Sequence, residues 1–437
     1  MLKKNIKTII AALLFALTMG SVSYAADDAV LLSLISKAKE NNPLIGAAHE
    51  KTIKAQAAVK EASAKMGPKA ALLAAGLWQE NEVTVNLPMM GLSLPVISRS
   101  VYAAAIGFVQ AVYTGGSLTA SKEASVLAKD AAMAQECRVV QSVENSVRLS
   151  YYNGRRAQAK EKVAQESLLL TKKHLERAET LFRSGLIAKG DVLRTKVAVA
   201  EAEMNLIKAN NAVQLAQTAL ERAVGSSVEA ALFKTPAATP SAQPEKTAIA
   251  ESAAKSAYNK RAELKMYDLL SRQADKIAAA AKGQKLPQIM AAGLLSTVDG
   301  SNEDLLPDSK TEWRLGVGAY WNIYDGGEIT AKTNQAKAQA KELLYMLADM
   351  KNIIKMEVTQ AQLNLRSAES RLAVAQRRVA ESEEDYRITR RRYDERVGTT
   401  LDMLDARLAL INSRTELIDA LYDIEIAKAN LAYAMGE

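Results

Sequence analysis

Between Glu312 and Tyr324 apolar and polar positions alternate. Trp313, Leu315, Val317, Ala319, Trp321 and Ile323 fall on one side, and Arg314, Gly316, Gly318, Tyr320, Asn322 and Tyr324 on the other. A period of two predicts a strand with one apolar face. Tyr102, Ala104, Ile106, Phe108 and Val112 repeat the pattern, with Gln110 as the exception. Elsewhere the pattern is helical. Residues 328–397 hold neither Gly nor Pro in 70 positions, and residues 117–184 hold only Gly154. Either tract could form a helix roughly 100 Å long. Isolated helices are marginal in water, so each long helix is expected to fold back on the shorter one that follows, at 191–224 or 402–435.

The elements come twice. Tyr113-Thr-Gly-Gly116 recurs as Tyr324-Asp-Gly-Gly327, and Asp191-Val-Leu193 as Asp402-Met-Leu404. Leu220 to Gly225 recurs as Leu431 to Gly436, and all three landmarks are 211 residues apart. Pro68 and Pro287 are 219 apart, so the first copy carries 8 extra residues between its Pro and its Tyr-x-Gly-Gly. The repeats are assigned to 26–225, with a helix at 29–65, strands within 70–113 and a hairpin at 117–224, and to 247–437, with a helix at 247–283, strands within 288–324 and a hairpin at 328–435. The Pro-rich segment 226–246 reads as a linker. Gly115, Gly116, Gly326 and Gly327 stand where strand turns into helix, a place for residues that accept φ > 0.

Composition narrows the class. Lys3, Lys4 and Lys7, an apolar run from Ile9 to Met19 and Ser23-Tyr-Ala25 form a secretory signal over residues 1–25. Removing it lowers the net charge from +8 to +5, because it holds three Lys and no Asp or Glu. No basic block argues for nucleic acid. The single Cys137 forms no internal disulfide and reads as a part-buried small residue. His49 and His174 read as isolated surface side chains. No motif of a metal site, a phosphate loop or a serine nucleophile appears, so no catalytic residue, cofactor or enzymatic activity is expected.

No segment after the signal is long and apolar enough for a spanning helix. Trp313 and Trp321 lie eight residues apart on the apolar face, roughly 26 Å along a strand. That matches the aromatic girdles that rim a membrane barrel. With Tyr102 and Phe108 they are the expected lipid-facing aromatics. Four strands alone would leave edges that lipid does not tolerate, so several chains must close the barrel.

Two strands, Tyr-x-Gly-Gly, a long helix, a turn, Asp-x-Leu and a last helix, all duplicated, make a unit that resembles the TolC-like outer-membrane efflux family over essentially the whole mature chain. The resemblance implies a mainly α protein with a β-barrel part. Its homotrimer would close a 12-stranded barrel in outer-membrane lipid above a periplasmic α-helical tunnel. It also implies an exit channel for a tripartite efflux or type I secretion system, with a periplasmic adaptor and an inner-membrane pump of RND or ABC type as partners. Asp402 and Asp405 share one helix face at the start of the last helix, where carboxylates also suit the helix dipole. By resemblance they form the channel constriction. Asp191, Tyr393 and Arg396 map to an entrance latch, although Gly398 lies five residues after Tyr393 whereas Gly185 lies three after Phe182. A periplasmic adaptor and a coiled-coil scaffold are the alternative readings. An adaptor normally carries one hairpin rather than two after two β segments, and a scaffold does not explain Trp313 and Trp321 bracketing an apolar strand face.

Overall fold

A computed structural model describes residues 29–78, 80, 83–87, 92–97, 100–228, 250–299 and 310–437. The signal at 1–25 and residues 229–246 of the linker lie outside them. The elements run α1 (29–41), α2 (Pro43–Ala64), β1 (Lys69–Trp78), β2 (Val83–Leu87), β3 (Leu92–Ile97), β4 (Ser100–Tyr113), α3 (Ser117–Arg183), α4 (Lys189–Val224), α5 (Ala250–Lys260), α6 (Ala262–Gly283), β5 (Gln288–Asp299), β6 (Lys310–Tyr320), α7 (Glu328–Asp394) and α8 (Thr400–Met435). α3 and α7 are 67 residues each, and α4 and α8 are 36 each.

Two compact units form. One holds residues to 49, 135–264 and 349–437, and the other holds 50–134 and 265–348. In the first unit, Leu31, Leu34 and Ile35 of α1 pack with Val143, Val147 and Tyr151 of α3 and with Leu220 and Val224 of α4. A second cluster joins Leu365, Ala368 and Leu372 of α7 to Ala420, Leu421 and Ile424 of α8. Small residues at these contacts let the helices of each hairpin approach closely.

The second unit carries a four-stranded antiparallel sheet in the order β1-β4-β5-β6. β4 of the first half pairs with β5 of the second, Tyr102 opposite Asp299 and Phe108 opposite Gly293. Among the described residues β2 and β3 pair only with each other, in the stretch that holds the extra residues of the first half. Register places Leu72, Ile106, Leu295 and Trp313 in one row across all four strands. They are 72%, 54%, 48% and 73% exposed, so the row is apolar yet uncovered by this chain. The adjoining row runs Ala70, Phe108, Gly293, Leu315, and the Phe108 ring lies over Gly293 where a Cβ would stand. The opposite face mixes Ser296, Glu312 and Arg314 with Leu73 and Leu294. The polar alternation read from sequence is therefore clearest in β6, at Glu312, Arg314 and the glycines that follow.

Three expectations about elements are revised. The helices expected at 29–65 and 247–283 are each broken, at Asn42 and at Arg261. Pro43 explains the first break, since a residue before Pro avoids the helical region. β6 ends at Tyr320, so Trp321 and Ile323 lie past the strand. Tyr320 pairs with Gln288, and the next rung would fall on Pro287, which has no N–H to continue the ladder. The Trp321 indole instead donates to the Lys285 carbonyl at 3.0 Å. Gln110, the exception on its face, donates to the Met66 carbonyl at 2.6 Å and so satisfies the chain entering β1. The other aromatic of the sheet's far end, Trp78, donates its indole N–H to the Tyr102 hydroxyl at 3.1 Å.

Candidate functional site at the hairpin tips

The hairpin tips belong to the first unit. α3 closes through Gly185 at φ 70°, with Gly185 N–H donating to Phe182 O at 2.9 Å and Leu186 N–H to Leu181 O at 2.9 Å. α7 closes the same way through Arg396 at φ 66°, with Arg396 N–H donating to Tyr393 O at 3.0 Å and Val397 N–H to Arg392 O at 2.8 Å. Arg396 and Gly185 are 211 residues apart, so the second turn is in register and Gly398 is not its left-handed residue. Among the described residues Arg396 is the only non-glycine with positive φ. Its exposed side chain makes no ion pair with Asp191.

Past this turn, Thr399 caps α8. Its hydroxyl accepts from Asp402 N–H at 3.1 Å, and the Asp402 carboxylate accepts from Thr399 N–H at 3.2 Å. This reciprocal box satisfies two orphan donors of the helix start. It holds the Asp402 carboxyl below the usual carboxylate range, chiefly through the Thr399 hydrogen bonds. Asp405 lies one turn on, exposed and without such a partner. Thr-x-x-Asp was the sequence signal for the box.

Tyr393 of α7 is buried, at 7% exposure. Burial raises its phenol above the usual range, with the Asp191 carboxylate adding to the rise. Its hydroxyl lies beside Thr400 but makes no well-formed hydrogen bond. Asp191 and Tyr393 therefore share one environment, and Arg396 stays outside it.

The neighbour of Tyr393 that sequence reading missed is His174. It is 6% exposed, not a surface residue. Its ring meets the Tyr393 ring edge to face at 5.2 Å between centroids. Charged residues flank it in sequence, but Ser167, Thr171, His174 and Ala178 follow helical spacing on one face of α3. Thr171, His174 and Ala178 are all buried, and this periodicity was the overlooked signal. Arg407 of α8, also buried, donates to the Ser167 carbonyl. Arg177 of α3 pairs with Asp394 of α7 at 3.1 Å. His49, by contrast, is exposed and lies 3.0 Å from Glu136. Cys137 is exposed rather than part-buried, because it falls on an outward side of α3.

At the base of the sheet, Gly115 and Gly116 have φ of 61° and 78°, and Gly326 and Gly327 have φ of 64° and 92°. Gly115 is also packed, since a Cβ there would lie 2.2 Å from Gly283 O. Asp325 completes the second turn by accepting from Gly327 N–H and Ile329 N–H, both at 2.9 Å. Among the described residues no group of His, Cys, Asp and Glu gathers as a metal site, and no helix is long and apolar enough to cross a membrane.

The sequence profile of the outer membrane efflux protein family matches residues 34–226 and 253–437. Nodulation protein T of Rhizobium leguminosarum bv. trifolii is 24% identical over 72% of this chain and 67% of its own. Outer membrane efflux protein BepC of Brucella suis is 28% identical, but over only 36% of this chain and 34% of its own. The crystal structure of the outer membrane protein VceC of Vibrio cholerae superposes with a TM-score of 0.77 at 19% identity, covering 93% of this chain and 96% of that one. A profile match over both halves, together with that shared fold, places the chain in the outer membrane efflux protein family, as an outer-membrane transport protein with the channel fold.

Proposed function

We propose that three copies of this chain close a 12-stranded barrel in the outer membrane and continue as a helical tunnel through the periplasm. The observation that carries this reading is the sheet. It exposes an apolar row from Leu72 to Trp313 and ends in β1 and β6, each paired on one side only. In hydrocarbon an unpaired edge leaves each backbone group unsatisfied at a cost of several kcal/mol. Sister copies of β1 and β6 supply the missing partners. Tyr102, Phe108 and Trp313 then face lipid, with Trp321 at the lower rim.

The tunnel is a passive exit duct. An inner-membrane pump of RND or ABC type supplies the energy, and a periplasmic adaptor joins the two, as tripartite efflux or type I secretion requires. Asp402 and Asp405 form the constriction, six carboxylates per trimer, which selects for cations. Asp191 and Tyr393 form the entrance latch. Arg396 contributes to it through its backbone turn, and the Gly115, Gly116, Gly326 and Gly327 pairs hinge the barrel to the tunnel.

Reconstitution in planar bilayers tests the reading. Cation-selective channels from a detergent-stable trimer are the expected result. A monomer that ignores lipid would overturn it.

A further inference from the structure

We propose that His174 is an acid-sensitive catch between the two hairpins: neutral, it lets them close near the tip, and protonated, it drives them apart. This rests on the channel reading only for its consequence, since the catch itself is a matter of packing.

His174 of α3 inserts its ring against Tyr393 of α7 at 5.2 Å. Its Nε2 is buried without a hydrogen-bond partner, which suits a neutral ring and not a cation. The charged groups around it are mostly of the wrong sign for an imidazolium. Arg407 approaches from α8 and Arg177 from its own helix, while Asp394 of α7 opposes them. Asp394 is already engaged by Arg177 at 3.1 Å and Arg390 at 3.9 Å. From α4, the Asp191 carboxylate acts on the Tyr393 phenol. Burial first, and then the two arginines, push the His174 imidazole down to about 4.

The sign follows from linkage. With a folded value near 4 against 6.5 for a free imidazole, the closed contact is fully stable above pH 6.5. It loses stability as pH falls toward 4, because the separated state takes the proton first. The hairpin of Tyr393 also carries Asp402 and Asp405 on α8, so separation there would widen the tip beside the constriction. Acid outside the cell envelope would then loosen the entrance from within the wall of the tunnel.

Hydrogen–deuterium exchange on the full-length protein in detergent tests this without requiring conduction. Residues 167–178 and 393–407 are compared between wild type and His174→Phe at the same pH, so that the chemical exchange rate cancels. Linkage sets the ceiling: opening of these segments in wild type rises by up to about thirtyfold between pH 8 and pH 5. His174→Phe keeps an aromatic ring, cannot protonate, and is expected to stay flat. His174→Gln serves as a second non-titrating variant should Phe not fit. Equal acid responses in wild type and a folded variant, or none in wild type, would overturn the proposal. Bilayer recordings in an Asp402→Asn, Asp405→Asn background then separate the catch from titration of the constriction. Acid-induced widening that persists there, and disappears with His174→Phe, belongs to His174.

Discussion

Asn42 and Arg261 make the same contact in the two halves of the chain. Each fills the one-residue break between two helices. Asn42 Nδ2 donates to Ala223 O at 2.7 Å, and Arg261 Nη1 donates to Ala434 O at 3.0 Å. The donors are 219 residues apart and the acceptors 211, the same two offsets that relate the repeats. Both side chains are buried, and each ties the end of a hairpin to the helix that starts its own half. Arg261 does more, because it also holds Glu263 and Glu357 at 3.0 and 2.8 Å. Arg138, paired to Glu263 at 2.5 Å, stacks 3.7 Å over the Tyr433 ring.

Removing either side chain leaves a buried carbonyl without its donor, but the costs differ. Asn42→Ala is expected to destabilise by about 1–3 kcal/mol. Arg261→Ala also takes the partner from half-exposed Glu357 and one of two arginines from Glu263, which keeps Arg138, and costs about 2–4 kcal/mol. Arg261→Lys should not restore it, because an ammonium cannot reproduce the fork of donors. Denaturant titrations in detergent would rank the three variants.

The four hinge glycines are not equivalent. Gly115→Ala would press a methyl onto Gly283 O at 2.2 Å and Leu286 Cβ at 2.8 Å, on top of its positive φ. Gly116→Ala and Gly326→Ala meet nothing within 4 Å. The first should cost about 2–4 kcal/mol and block assembly, and the other two about 1 kcal/mol each. The yield of assembled protein in the outer membrane would show the difference.

The left-handed seat at the two tips is occupied by Gly185 and Arg396. Gly185→Ala should loosen the first tip by about 1 kcal/mol. Arg396→Gly should change the second by less than that, because relief of backbone strain is partly offset by the freer unfolded chain. Amide exchange at 392–398 would read the second change directly.

Asp402→Ala together with Asp405→Ala should raise conductance and weaken block by multivalent cations. Unchanged single-channel behaviour would remove the ring assignment. Asp402 carries a further pH signature. Its carboxyl is depressed by the Thr399 cap, so the capping contribution is fully present above the free value of about 3.9. It is lost as pH falls through the lower folded value. Thr399→Val removes the hydroxyl acceptor and should move loss of block to higher pH.

Much of this was legible in the sequence because it depends on periodicity. The alternation at Glu312 to Tyr320 and the glycine-free tract after Glu328 each follow from one repeating geometry. What escaped were features decided by a neighbour distant in sequence. The break at Arg261 carries no proline and exists because Ala434 O, Glu263 and Glu357 draw the guanidinium inward. β6 stops at Tyr320 because Pro287 stands just before the adjacent strand. His174 looked solvated among Lys172, Lys173, Glu176 and Arg177, yet its helical face is the one that meets Tyr393. The turn at Arg396 misled because glycine is the usual occupant of such a seat, and the nearby Gly398 invited a shifted alignment.

Among the described residues β1 and β6 are partnered on one flank only. Until that flank is filled, each newly exported chain displays two ready templates for indiscriminate strand addition. Correct assembly is therefore a race against aggregation. The cell must either escort the chain or deliver a pairing partner to the membrane at nearly the same moment.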